Sequence, residues 1–272
     1  MQLSRLASPL LALVALLTLG GGVASSYDDP PASTPTAPGT LAAPANPCKG
    51  PEAASLRCPD LQMRRPYDFT VERTPKGHVL LRATSAIKSR GRGPIELHGK
   101  RNGDKTMRVT QRIYRVNGTH LNVRSAGHLY FYFIPGQGRY WKFANAARFE
   151  LWSLDSAGRR KKLLRIGPKL HYCFRDLFKT GGGKHSPRKR LYPGCNQNPR
   201  KQRVVLGTSV GWSDVYPAPY HEQYLDVTGL HGCFAYVHAA DPKNWIAESD
   251  EGNNRAQRIV RLPPRPGRQR CI

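Results

Sequence analysis

The sequence predicts an all-β protein built as a sandwich of antiparallel strands. Short runs rich in β-branched and aromatic residues recur along the chain, separated by Gly, Pro, Asn and Asp. Asn117-Gly118 lies between two such runs, which is the strongest short-range indication of a hairpin. Helical periodicity is scarce. Together these observations favour an antiparallel β-sandwich over a mixed α/β fold.

Eight predicted strands are spread over residues 78–262. They are HVLLRATSAI, MRVTQRIYRV, HLYFYFI, RFELWSL, LLRIG, YLDVTGL, CFAYVHA and RAQRIVRL. The basic run from Arg159 to Lys162 follows SLDSAG between two of them, so we expect it to form a hairpin turn.

Residues 1–24 have the organisation of a signal peptide. Arg5 supplies a positive first region, residues 10–17 form an apolar core, and residues 22–24 are small enough for cleavage. The apolar run is shorter than the roughly 20 residues that span a bilayer, which argues against a membrane anchor. We therefore expect a secreted or extracytoplasmic protein that acts at the cell surface.

Residues 25–47 are rich in Pro, Ala and Thr and nearly free of aromatic and branched apolar residues. Such a composition cannot bury enough apolar surface to fold, so this segment is predicted to be a disordered tether. Residues 48–272 have the length of a single all-β domain or of two small ones, and we assign them to one folded domain.

The six cysteines all lie after the tether. They are Cys48, Cys58, Cys173, Cys195, Cys233 and Cys271. An even number in an exported chain predicts disulfides rather than free thiols or a metal site. Cys173 and Cys195 flank the basic, Gly-rich insertion TGGGKHSPRKR, so we expect a bridge between them that closes it. The other pairings stay open.

The chain is strongly basic, with 43 Lys and Arg against 18 Asp and Glu and a formal net charge of +25. An exported protein with this charge is expected to adhere to anionic wall polymer or to a membrane surface. The competing interpretation is a solvated basic surface with no partner, because the charges are spread along the chain. The basic stretches carry no interleaved aromatics, so we expect no dedicated nucleic-acid binding.

Six segments occur in an order that resembles a known family. They are GRGPIELHG, TQRIYR, WKFANAARFELWSLDSAGRR, GPKLHYCFRDL, GWSDVYPAPYHEQYLDVTGL and AESDEGNN. Together they resemble the lysyl oxidase domain in its bacterial exported form, from about residue 60 to 262. The resemblance implies a β-sandwich of lysyl oxidase type with long loops.

The resemblance also implies a chemistry. Lysyl oxidases are copper-dependent enzymes that oxidise a primary amine to an aldehyde and release ammonia and hydrogen peroxide. Their second cofactor, lysine tyrosylquinone, is made from a lysine and a tyrosine, which fall here on Lys169 and Tyr216. Asp214 falls where the family places a carboxylate suited to remove the α-proton of the substrate.

The copper motif of the family is missing. The bacterial family carries H-x-H-x-H before the strand matched by ARFEL, and these positions are Gly138, Tyr140 and Lys142. Glycine has no side chain, neutral tyrosine is a poor copper ligand, and a lysine ammonium repels the cation. We therefore expect no metal ligands here, and neither copper nor the quinone in this chain. Lys142 is predicted to take the place of the metal and to pair with Asp214 or a neighbouring carboxylate.

Three interpretations follow from these features. The first is a degenerate oxidase that works as a basic binding or structural module at the cell surface. The second is an active amine oxidase, acting on lysine side chains or small amines, with a copper site rebuilt from His128, His171, His221 and His238. The third is an Ig-like adhesin that shares only the architecture, which leaves the motifs around Lys169 and Tyr216 unexplained.

Overall fold

The computed structural model describes residues 45–181, 183–263 and 271. The described residues form seventeen strands and two short 3-10 helices, η1 (Pro47–Lys49) and η2 (Ala53–Ser55). The strands of the first half are β1 (Leu56–Arg57), β2 (Leu61–Met63), β3 (Tyr67–Arg73), β4 (Val79–Ser89), β5 (Ile95–Gly103), β6 (Thr106–Arg115), β7 (His120–Val123), β8 (His128–Ile134) and β9 (Gly138–Phe143). Those of the second half are β10 (Ala147–Leu154), β11 (Arg160–Ile166), β12 (Phe178–Lys179), β13 (Arg203–Thr208), β14 (Trp212–Tyr216), β15 (Tyr224–Asp226), β16 (Gly232–Ala240) and β17 (Arg255–Leu262).

The strands form three antiparallel sheets. The seven-stranded sheet has the order β13-β5-β6-β8-β9, with β1 and β7 also paired to β6. The six-stranded sheet has the order β12-β14-β4-β15, with β2 and β3 also paired to β4, and the four-stranded sheet has the order β11-β10-β16-β17. One apolar core includes side chains from all three sheets, for example Leu97 of β5, Leu81 of β4 and Phe149 of β10. The prediction of an all-β, antiparallel fold is confirmed.

The Asn117-Gly118 hairpin is confirmed, and the second predicted hairpin is present with its turn earlier in the chain. Asn117-Gly118 joins β6 to β7, which pair in antiparallel register, and Gly118 has a φ of 89° that suits a residue without a side chain. The turn between β10 and β11 is formed by residues 155–159, and Arg159, its last residue, makes an ion pair with Asp155. The rest of the predicted basic turn, Arg160 to Lys162, lies in β11. All eight predicted runs contain a strand.

Some strands were not predicted because their sequences lack a strand pattern. The strand β5 reads IELHGKRNG, with two glycines and several charges, yet it is hydrogen-bonded on both sides by β6 and β13. A Cβ at Gly99 would lie 2.5 Å from a methyl carbon of Leu129, so only glycine lets this strand pack. Tertiary packing, rather than local propensity, selects this segment as a strand.

Three disulfides join all six cysteines, in the pairs Cys48–Cys58, Cys173–Cys195 and Cys233–Cys271. The predicted bridge across the basic insertion is therefore confirmed, and the two open pairings are now assigned. Three disulfides indicate an extracytoplasmic environment. In the part of the chain that the structure describes, no helix is long and apolar enough to cross a membrane.

The folded part begins slightly before Cys48. Asn46, which the sequence assigns to the tether, accepts a hydrogen bond from the backbone N–H of Cys48 at 2.9 Å. Its side-chain amide donates to the Glu248 carbonyl at 2.9 Å and to the Glu251 carboxylate at 3.1 Å. The signal peptide and residues 25–44 of the predicted tether lie outside the described residues.

Replacing Cys173 and Cys195 together by serine should lower the free energy of unfolding by about 2–4 kcal/mol, because the bridge restrains the unfolded chain. Replacing Cys48 and Cys58 serves as the control. Their sequence separation is 10 against 22, so the shorter closed loop should cost less. Denaturant unfolding of both variants measures the difference, and a larger loss in the control would contradict the prediction.

Candidate functional site

Strand β9 carries the position where the family's last copper histidine would lie. Lys142 pairs with Tyr130 of β8, and its side chain is only 1% exposed although it is a lysine. Trp141 and Phe143, on the other face of the strand, are in the apolar core. Tyr140 shares the face of Lys142 but donates its hydroxyl to the carbonyl of Gln137 at 2.6 Å. Of the three motif positions, Lys142 alone is buried.

The segment after β11 brings Lys169 to the same place. Tyr172 forms an isolated antiparallel bridge with Phe143, with hydrogen bonds of 2.6 and 3.1 Å between the two backbones. The next residue, Cys173, is held by its disulfide to Cys195. Because this segment crosses the end of β9, Lys169 is carried inside and is 1% exposed.

Strand β14 supplies the other two predicted residues. Asp214 and Tyr216 alternate with Val215, so their side chains share one face, and they pair with Ile87 and Ser85 of β4. Asp214 is fully buried and Tyr216 is 4% exposed. The hydroxyl of Tyr216 accepts a hydrogen bond from the backbone N–H of Cys173 at 3.1 Å, which ties β14 to the Lys169 segment.

Five side chains converge to form what we call the amine–tyrosine cluster, made of Lys142, Lys169, Tyr172, Tyr216 and Tyr220. The amine nitrogen of Lys169 lies 4.3 Å from the ring centroid of Tyr216 and 4.4 Å from that of Tyr220. The Tyr172 and Tyr216 ring centroids are 4.1 Å apart. Lys142 donates a hydrogen bond to the Tyr220 hydroxyl at 3.2 Å. Lys169 and Tyr216, which the sequence placed in separate motifs, therefore lie side by side.

The two lysines cannot both carry a full charge easily. Burial lowers the pKa of Lys142 to about 8, although Lys169, Asp214 and Glu222 all act to raise it. Burial and the charge of Lys142 hold the pKa of Lys169 well below its usual range. Both amines therefore release a proton more readily than an exposed lysine does, and the Lys169 amine interacts with aromatic ring faces.

The Asp214 carboxylate is buried and has few stabilising contacts. Burial raises its pKa to about 6, while Arg175, Lys142 and Lys169 act to lower it. Its Oδ1 atom lies 3.9 Å from Nε of Arg175, and neither oxygen has a hydrogen-bond partner among the described residues. Lys142 was expected to pair with this carboxylate or a neighbour, but its hydrogen bond goes to Tyr220 and the charge of Asp214 acts through space.

The four histidines considered as substitute copper ligands lie in different surroundings. His238 is fully buried against the ring of Phe149 at 4.1 Å, and burial lowers its pKa to about 3. The ring centroids of His171 and Tyr132 are 5.1 Å apart. Burial lowers the pKa of His171 to about 4, and the charge of Lys169 acts in the same direction. His128 lies near Trp245, and His221 lies 3.8 Å from Glu222.

Among residues 45–181, 183–263 and 271, one group of three or more metal-ligating side chains comes within 4.8 Å, and it contains no histidine. It consists of Asp241, Glu248 and Glu251. Burial raises the pKa of Glu248 to about 10, although hydrogen bonds from the Asn254 amide and the Leu61 N–H act to lower it. Such an all-carboxylate group does not match the imidazole ligands that copper sites use. The residues present do not fit the copper of the family.

Several residues of the site were missed by sequence reasoning. Tyr172, Arg175, Tyr220 and Glu222 all lie within the quoted motif segments, but no spacing marked them. Tyr220 enters the cluster because a turn after β14 brings it back, with its N–H bonded to the carbonyl of Pro217 at 2.9 Å. Glu222 is positioned by the hydroxyl of Tyr132, which donates to it at 2.8 Å.

No protein-family model matches this chain, and no curated protein is significantly similar to it. The function of the site therefore has to be argued from its own geometry.

Replacing Lys142 by methionine should raise the pKa of Lys169, because it removes the nearest positive charge from a buried amine. NMR titration of selectively labelled lysine side chains measures this shift. Replacing the exposed Lys161 by methionine is the control and should leave the titration of Lys169 unchanged. A Lys169 pKa that is the same in wild type and the Lys142→Met variant would contradict the coupling.

Proposed function

We propose that this protein is an exported lysyl oxidase-like domain that has lost copper chemistry and acts as a basic binding or structural module at an anionic cell surface. The observation that carries the proposal is the position of Lys142. A buried ammonium, hydrogen-bonded to Tyr220 at 3.2 Å, takes up the space and the charge that a metal would need. Copper would meet a fixed positive charge there rather than imidazole nitrogens.

The arrangement of Lys169, Tyr216 and Asp214 supports the lysyl oxidase origin of the site. In the family, the lysine and tyrosine at these positions are the precursors of the quinone. Here the Lys169 amine lies 4.3 Å from the ring centroid of Tyr216, while Asp214 and Tyr216 share one face of β14. The organic part of the site is thus retained in place, and the metal part is replaced.

The surface charge supports the binding role. Several acidic side chains are buried and contribute little to the outer surface: Glu96, Glu150, Asp176, Asp214, Asp241 and Glu248. The basic hairpin from Arg159 to Lys162 and the basic residues Lys184, Arg188, Lys189 and Arg190 of the insertion are exposed. The described surface therefore presents clustered basic side chains, in keeping with the net charge of +25 of the full sequence.

The second candidate is an active copper amine oxidase with a displaced metal site. The proximity of Lys169 to Tyr216 favours it, because a cross-link needs that proximity. The dispersal of His128, His171, His221 and His238 argues against it. The two candidates differ in copper content, covalent structure and product.

Purified protein loaded with copper should release no peroxide from cadaverine or from lysyl peptides, because it lacks the ligands that hold the metal. A peptide map should contain Lys169 and Tyr216 in separate, unmodified peptides. A peroxide assay, metal analysis and a redox stain for quinone measure these outcomes. Stoichiometric copper together with turnover would establish the second candidate instead.

Restoration of histidines tests the same point in reverse. Lys142→His with Tyr140→His adds two ligands on one face of β9, and copper affinity should rise relative to wild type. Gly138 has a φ of 109°, a conformation that L side chains rarely adopt, so Gly138→His is expected to strain the backbone. Lys142→Met with Tyr140→Phe is the control that removes the lysine charge without adding ligands. Equal copper affinity in both variants would contradict the assignment of these positions.

Adhesion to anionic vesicles or wall polymer should fall steeply as salt is raised, because the attraction is screened over roughly 8 Å at physiological ionic strength. A cosedimentation series from low to high salt measures it, with neutral vesicles as the control. Adhesion that ignores salt would contradict a role based on distributed surface charge.

A further inference from the structure

A cleft of about 610 Å³ lies beside the amine–tyrosine cluster, within the roughly 300–1,000 Å³ typical of small-molecule sites. Its wall includes Ala86 and Lys88 of β4 and Ser213 and Val215 of β14. Val215 pairs with Ala86 and Ser213 with Lys88, so these side chains point to the face of the sheet opposite to Asp214. The cleft and the cluster meet near the end of β14, where Tyr216 and Tyr220 belong to both.

Three cationic side chains converge on this cleft, Arg64, Lys88 and Arg175. Asp68 is the one acidic residue in its wall. Over the described ranges, Arg64 and Lys88 make no salt bridge, and Nε of Arg175 is buried without a hydrogen-bond partner, 3.9 Å from Asp214. Burial and the neighbouring charges of Arg90 and Arg64 lower the pKa of Lys88. Arg175 therefore has the buried Asp214 carboxylate as a partner, and Arg64 and Lys88 are the two cations that lack one among the described residues.

The rest of the wall is largely aromatic. Tyr67, Phe178 and Tyr220 line the cleft, and the guanidinium of Arg64 stacks over the ring of Tyr67 at 3.9 Å. This stacking orients the guanidinium without using its hydrogen-bond donors, which stay available to a ligand. A ring-sized apolar body would be covered by the aromatic side chains, and an anionic group on it would meet the cations.

We propose that this cleft binds a small organic anion, a carboxylate or phosphate borne on a ring-sized body. Arg175 and Lys88 bind the anionic group, and Tyr67, Tyr220 and Phe178 contact the body. The inference deepens the proposed binding function, on which it rests, by naming the chemical class of the ligand. It also states that the cleft disfavours amines, since an ammonium would be repelled by three cations.

A matched series of probes tests the charge preference. Benzoate, benzyl alcohol and benzylamine share a ring and differ in charge, and NMR titration of the full folded domain at constant ionic strength measures each affinity. Benzoate should saturate, with shifts at Tyr67 and Tyr220, and bind at least about tenfold more tightly than benzyl alcohol, as charge-assisted hydrogen bonds imply. Benzylamine that binds as tightly as benzoate, or benzoate that fails to saturate, would overturn the proposal.

Variants test the residues. Lys88→Gln and Arg175→Gln should each weaken benzoate by about tenfold, and Lys161→Gln is the control, with the same charge change on the exposed hairpin. Arg175 is close to buried Asp214 and its replacement could disturb folding, so the partly exposed Lys88 gives an independent test. An equal loss of benzoate affinity in the Lys161→Gln variant would show that overall charge causes the effect, and it would overturn the proposed site.

Two further probes identify the source of the anion. Glucuronate represents an acidic sugar of a wall polymer, and glycerol 3-phosphate represents a phosphate of a lipid headgroup or wall polymer. The probe that binds with the higher affinity identifies the source of the anion. If benzoate binds and neither of these probes does, the ligand is restricted to aromatic acids. If the Lys88→Gln variant still adheres to vesicles in a salt-sensitive way, surface adhesion and anion binding in the cleft are separate functions. If the wild-type protein binds benzoate but does not adhere to anionic vesicles, the surface role is overturned and the cleft proposal stands.

Discussion

The site depends on one backbone contact, the bridge between Phe143 and Tyr172. Its two hydrogen bonds join the end of β9 to the segment that follows β11. Without this contact, Lys142 and Lys169 would belong to unrelated parts of the fold, because β9 and β11 lie in different sheets. The disulfide at Cys173 and the hydrogen bond from its N–H to Tyr216 then fix β14 against the same segment. One short bridge therefore brings together three segments that are distant in sequence.

That contact creates an electrostatic constraint. It places two amines and the Asp214 carboxylate in a region from which water is excluded, where unpaired charge is costly. The cluster lowers the pKa of Lys169 and surrounds its amine with tyrosine rings. A divalent cation added to this region would need ligands that the described residues do not bring there. The burial of Lys142 and the lowered pKa of Lys169 are thus parts of one arrangement.

The sequence predicted the class of fold well, because strand runs and turn residues are local properties. Runs such as HLYFYFI coincide with β8, and Asn117-Gly118 forms its hairpin. Strand β5 was missed because its partners on both sides, and the close packing at Gly99, decide its conformation. Lys169, Asp214 and Tyr216 were found because they lie in motifs. Tyr220 and Arg175 were not, because a turn and a disulfide-held segment bring them in from positions with no marked spacing.

The backbone at the start of β9, as well as its side chains, differs from what a row of three metal ligands would need. Gly138 adopts a left-handed conformation and leads β9 out of the turn that Tyr140 closes with its bond to Gln137. A histidine ligand at position 138 would require an extended backbone to point along the face of Lys142. Reversing the side-chain changes alone would leave this conformation in place. Three ligands here would therefore need an extended start of β9 as well as histidine side chains, and the cleft lined by Arg64, Lys88 and Arg175 is the part of this region that we propose binds a ligand.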